Sequence, residues 1–164
     1  MHIAQLNIAR LRADRDDPVV AEFFAAIDPI NAIADVSPGF VWRLQDESGD
    51  ATGIRLWDDD RLIVNMSVWS SIAALEDYVY RSAHVGVMRR RREWFDRLEQ
   101  RYLVLWWVPG GHIPSIDEAK ARLEHLEAHG PTPTAFTYRQ AYPAPDGAGA
   151  ADASATPSVP ARTR

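Results

Sequence analysis

The stretch Leu62–His84, LIVNMSVWSSIAALEDYVYRSAH, changes its period in the middle. As far as Trp69 it is apolar and β-branched, which suits a strand. Ser70 or Ser71 is then placed as an N-cap, and Ile72, Leu75, Tyr78 and Val79 follow at helical spacing. The stretch therefore reads as a strand feeding a helix, and the strand carries one amide, Asn65, four residues before Trp69. Alternation puts Leu62, Val64, Met66 and Val68 on one side of this strand and Ile63, Asn65, Ser67 and Trp69 on the other. Neither side has a solvated composition, so an amide in the middle requires a partner or a pocket.

Working outward, His2 to Arg10 reads as a short strand. Asp17-Pro18 reads as a helix start, with Pro in the first turn. Val20, Phe23, Phe24, Ile27, Ile30 and Ile33 recur at helical spacing, and Pro29 is expected to kink or split that helix. Ser37-Pro38-Gly39 stops it, and Phe40 to Gln45 forms a second strand. Helical periodicity breaks near Ser82 and resumes from His84 to Leu98. Tyr102 to Val108 is a fourth strand, ended by Pro109-Gly110-Gly111. Ser115 opens a capping box with Glu118. Ala119, Leu123 and Leu126 mark a further helix, closed at His129-Gly130-Pro131. Phe136 to Tyr142 is expected as a last strand. The order β-α-β-β-α-β, then α-β, is the split βαβ, or ferredoxin-like, plan: an α+β protein with an antiparallel sheet and helices on one face.

The fourth strand is apolar on both parities, with Tyr102, Val104 and Trp106 against Leu103, Leu105 and Trp107. A sheet covered on one side alternates apolar with polar. The second face therefore needs a cover, and a homodimer packed sheet to sheet is the expected one.

With 164 residues, 46% hydrophobic and 25% charged, the chain suits one globular domain. That domain is expected over 1–142. Pro143 to Arg164, rich in Ala, Pro, Gly and Ser, is expected as a disordered tail at 143–164. The absence of cysteine removes disulfides and thiolate chemistry. A net charge of −5 gives a nucleic-acid partner no global support. The opening MHIAQLNIARLRADRDD is polar by its tenth residue and matches neither a signal peptide nor a membrane span. The expectation is a cytoplasmic protein with no nucleic-acid and no membrane partner.

Asn7 lies centrally in the first strand, the expected neighbour of the strand holding Asn65. Two readings stand side by side. The amides satisfy each other or a buried water, or they bind the oxygens of a small apolar or aromatic molecule. His84, where the long helical stretch bends, is a candidate neutral base, and Tyr80 and Met88 share its stripe. The run Arg89 to Arg92 reads as a solvated face, from which only Arg91 reaches inward. Trp42, Trp69 and Trp106 are candidate platforms for a planar ligand, and His112 in the glycine loop is a further pocket candidate. His125 and His129 lack a third metal ligand, and Asp58, Asp59 and Asp60 read as solvated acids. No nucleotide, flavin or nicotinamide motif is present. Neither a cofactor nor a metal is expected.

NMSVWSSIAALEDYVYRSAH resembles the antibiotic-biosynthesis monooxygenase superfamily of dimeric α+β barrels, in which a strand with Asn-x-x-x-Trp precedes a helix and Ser-x-His. IAQLNIAR, SPGFVWRLQ, VNMSVW, YRSAHVGVMRRRREWF, LWWVPGGHIPSIDEA and HGPTPTAFTY are similar to a bacterial family within it whose activity is not established. The resemblance implies a ferredoxin-like protomer, a homodimer, and a pocket between sheet and helices. It also implies that Asn7, Asn65 and Trp69 bind a polycyclic phenol that reacts with oxygen without a cofactor, with His84 taking a proton and Arg91 in support. The same groups suit isomerisation or cyclisation, or non-catalytic ligand binding. The haem-degrading members would map Asn7 and His84 onto haem binding, but Tyr78 stands where they carry a helical Trp.

Overall fold

The computed structural model describes residues 1–82 and 84–145; residues 83 and 146–164, and the side chain of His84, lie outside the described residues. Most of the expected tail is therefore also outside them. The elements run β1 (His2–Arg10), α1 (Pro18–Asp35), β2 (Phe40–Arg43), β3 (Leu62–Trp69), α2 (Ile72–Arg81), α3 (His84–Trp94), β4 (Leu103–Val108) and α4 (Ile116–His129). The strands lie in the order β2-β3-β1-β4, each antiparallel to its neighbours. This is the split βαβ plan read from the sequence.

Local chemistry sets most boundaries. The Asp17 carboxylate accepts from the Val19 amide and caps α1, with Pro18 at its first position. Pro29 does not split α1, which is continuous for 18 residues. Both Pro29 and Ala25, whose carbonyl loses its helical partner, are exposed, so the interruption falls on the outer side of the helix. Ser71 caps α2 by accepting from the Ala74 amide. The third helical segment ends at Trp94, short of the expected Leu98, because Phe95 pairs with Leu11 and the Asp96 amide bonds the Arg10 carbonyl. The expected strand over Phe136–Tyr142 contracts to one residue pair, Leu105 with Phe136. Turns at Thr132–Ala135 and Thr137–Gln140 bend the chain away on either side of that pair.

Pairing registers bring residues of one parity together. Asn7 lies opposite Asn65 and Leu103, while Ala4 lies opposite Val68 and Trp106. The odd-numbered side packs Ile3, Trp69 and Leu105 with Leu75 and Phe136, and Ile63 with Phe23 and Phe95, beneath α1, α2 and α3. The even-numbered side packs Ala4, Leu6, Met66, Val104 and Trp106 against Ala119, Leu123 and Leu126 of α4, with Ile54, Leu56 and Trp57 of the β2–β3 connection alongside.

The expected helices-on-one-face arrangement is therefore corrected. Three helices cover one face and α4 covers the other. The sequence-based homodimer rests on a face with nothing in the chain to cover it, and the chain supplies that cover itself: Leu6, Val68, Val104 and Trp106 are all fully buried. A β-bulge between Phe40 and Trp42 adds one detail. It places Phe40 against Trp69 on the odd side and Trp42 beside Val68 on the even side, although the two are an even number of residues apart.

Candidate functional site

Between the odd face of the sheet and α1, α2 and α3 lies an open chamber of about 320 Å³. Its floor is polar along a line across the two central strands. The Gln5 Nε2 amide donates to Asn65 Oδ1 (2.8 Å) and to Ser67 Oγ (3.3 Å), and Trp69 Nε1 donates to the same Ser67 oxygen (2.9 Å). Asn7, directly opposite Asn65, donates from Nδ2 to the Tyr102 carbonyl (3.2 Å).

Asn65 is an exposed residue in a buried strand because the chamber opens above it. Each amide has one end held by protein. The Asn65 Nδ2 donors and the Asn7 Oδ1 acceptor have no partner among the described residues, and neither does the Asn31 amide that α1 adds to the wall. Free polar ends in a mostly apolar cavity are what an oriented ligand requires.

Trp69 borders the chamber, but it is fully buried, stacked on Tyr78 at 5.0 Å and met edge-on by Phe40 at 5.3 Å. Its ring is packed wall, and Tyr78 presents the aromatic surface beyond it. Burial pushes the Tyr78 phenol up to about 12, against a lowering by Arg43 and with a further small rise from Asp35. The Tyr138 phenol, also on the wall, is raised chiefly by burial and further by Tyr80 and Glu76. Both are neutral hydrogen-bond donors at neutral pH.

Two arginines reach the chamber in different states. Arg43 is engaged by protein, with Asp35 at 2.8 and 3.2 Å and the Gly49 carbonyl at 2.7 Å. Arg91 has no carboxylate partner among the described residues.

The structure brings together Asn7, Asn65, Trp69, Tyr80, Met88 and Arg91 of the expected site. It separates three others, and these are corrections. Trp106 lies on the even face, fully buried, its indole N–H donating to Glu118 Oε1 (2.9 Å). Trp42 is turned to the same face by the bulge. His112 bonds Glu118 Oε2 (2.7 Å) at the start of α4, away from the chamber. His84 opens α3, and its side chain lies outside the described residues. Residues missed from sequence are Ser67, Asn31 and Tyr138. Parity offered a signal only for Ser67, which shares its side of the strand with Asn65.

A family model described as a domain of unknown function (DUF3291) matches residues 2–152. No curated protein matches the chain. Among solved structures, a mutant of SnoaB, a cofactor-independent oxygenase from Streptomyces nogalater, is similar at 17% identity, covering 70% of this chain and 98% of that one, with a TM-score of 0.47. A structural-genomics protein, YJCS, is similar at 13% identity, covering 66% and 100%, with a TM-score of 0.45. A candidate antibiotic biosynthesis monooxygenase from Chloroflexus aurantiacus is similar at 16% identity, covering 68% and 97%, with a TM-score of 0.43. At these identities and scores the function has to be argued from the chain's own side chains.

Proposed function

The chain belongs to the DUF3291 family, and we propose that its chamber is the active site of a small-molecule enzyme acting without a cofactor on an aromatic or polyketide-like substrate. One observation carries this reading. Asn7 and Asn65 face each other across the chamber floor, each with one polar end fixed by protein and the other free. Fixed donors that need no reorganisation stabilise an oxyanion as it forms. An Asn65 amide steadied by Gln5 suits the enolate of a phenol tautomer, and the Asn7 oxygen suits a neighbouring hydroxyl.

In this reading His84 removes a proton from the substrate carbon, and Asn65 holds the resulting enolate oxygen, with Arg91 lowering its energy from the rim. The carbanion then reacts with dioxygen as the oxidant. A ring CH₂ becomes a carbonyl, one oxygen atom is retained, and the other leaves as water. Where no oxygen enters, the same proton abstraction gives isomerisation or cyclisation.

Oxygen uptake with anthrone, a tricyclic phenol tautomer, tests this. The expected result is uptake matched to anthraquinone formation, lost in Asn65→Ala and in His84→Ala, while Asn65→Ala stays folded and loses about 1 kcal/mol in thermal unfolding for the Gln5 contact. Anthrone that binds without turnover in the intact protein would make the chamber a binding site only. Turnover that survives Asn65→Ala would remove the amide from the chemistry.

A further inference from the structure

The run Arg89–Arg92 splits into one satisfied arginine and three unsatisfied ones. Arg90 is ion-paired with Glu22 and Glu93 and lies over the Trp94 ring at 4.8 Å. Arg89, Arg91 and Arg92 have no carboxylate partner among the described residues, yet all three border one groove of about 370 Å³, whose remaining walls are Val79 and Tyr80 of α2 and Val85 and Met88 of α3. Val79, Tyr80, Met88 and Arg91 belong to the walls of both this groove and the chamber, so the two spaces adjoin.

Arg91 and Arg92 lie in the last turn of α3, where positive charge is favourable. That explains why the helix tolerates them. It does not explain why they meet Arg89 at a groove shared with α2. All three residues are exposed and border one groove, so their like charges add to a positive potential there that favours an anion, and guanidinium is the side chain best suited to a planar oxyanion.

We propose that this groove is an anion subsite, and that the ligand is an amphiphilic organic anion: an apolar ring system in the chamber joined to a carboxylate or phosphate held by Arg89, Arg91 and Arg92. The inference rests on the chamber being a ligand site, and it adds a charge requirement that the chamber's neutral amides do not impose.

Two fluorescent probes of nearly one shape separate the two claims. 1-Anilinonaphthalene-8-sulfonate carries an anion, and N-phenyl-1-naphthylamine has the same rings without it. The full chain is expected to bind the anionic probe about tenfold more tightly, equivalent to one well-made charge-assisted contact. That preference should shrink with added salt. It should fall to near unity in Arg89→Gln/Arg92→Gln, where Arg91 is kept, and persist in Lys120→Gln on the opposite side of the sheet. Competition by 1-naphthoate and 1-naphthyl phosphate, each against 1-naphthol, identifies the oxyanion by whichever displaces the probe at lower concentration. Equal binding of both probes, or a preference untouched by Arg89→Gln/Arg92→Gln, overturns the subsite while leaving the chamber intact. Failure of the neutral probe to bind at all overturns the chamber reading itself.

Discussion

The two sides of this sheet are built from alternate residues of the same strands, and they behave as two different materials. The even side is dry and closed. Leu6, Val68, Val104 and Trp106 are buried in one cluster with residues of α4, and the Trp106 indole N–H is answered by Glu118. The odd side carries Gln5, Asn7, Asn65 and Ser67, and its helices leave a space above them. A close-packed layer gains from every contact it makes, whereas a ligand chamber needs contacts left unmade. The sheet keeps both by assigning one role to each parity.

Mutations should respect that division. The largest effect is expected on the closed side. Trp106→Ala should lower stability by about 3–5 kcal/mol, measured by denaturant unfolding, with little change in the affinity of a chamber ligand for the protein still folded. A matching loss of affinity would mean that the two sides are coupled.

Ser67→Ala probes the boundary. The hydroxyl is the shared acceptor for Trp69 and Gln5, so its loss leaves a buried indole N–H unanswered at about 1–3 kcal/mol. It should also loosen the Gln5–Asn65 contact and so weaken ligand binding. A variant that loses only stability would show that the floor is a structural network alone.

The smallest effect is confined to alkaline solution. The Tyr78 phenol is raised in the folded chain, so the unfolded chain loses its proton first. The folded state is undisturbed below about pH 10, and its stability falls as pH rises from about 10 towards about 12. Comparing the parent with Tyr78→Phe should show the parent losing about 1 kcal/mol more between pH 8 and pH 11. Parallel curves would mean that the phenol is solvated.

Much of this division was legible in the sequence because it is local. Strand alternation put Asn65, Ser67 and Trp69 on one side, and Asp17 and Ser115 cap the helices they precede. Relations between elements were not legible. Trp106 could be placed with or against Asn65 only through the register of β4 on β1, which no single strand encodes. The amphipathic pattern of α4 says that one flank is buried, not which face of the sheet buries it, so the cover for the even side went unrecognised. The sequence pairs Glu118 with Ser115 as a capping box. Ser115 does accept from the Glu118 amide, but the Glu118 carboxylate serves Trp106 and His112 instead.

The bulge at the edge strand has a consequence for how this protein can change. Because one extra residue lies between Phe40 and Trp42, a four-residue strand feeds an aromatic ring to each of two compartments. Regularising the strand while keeping all three residues would swing the indole towards a side already filled by Phe40 and Trp69 and leave a hole beside Val68, whereas deleting the extra residue would restore plain alternation and leave each ring on its present side. At this edge the bulge, not plain alternation, governs which compartment each ring furnishes, so a shift of register would cost more than loss of the extra residue itself.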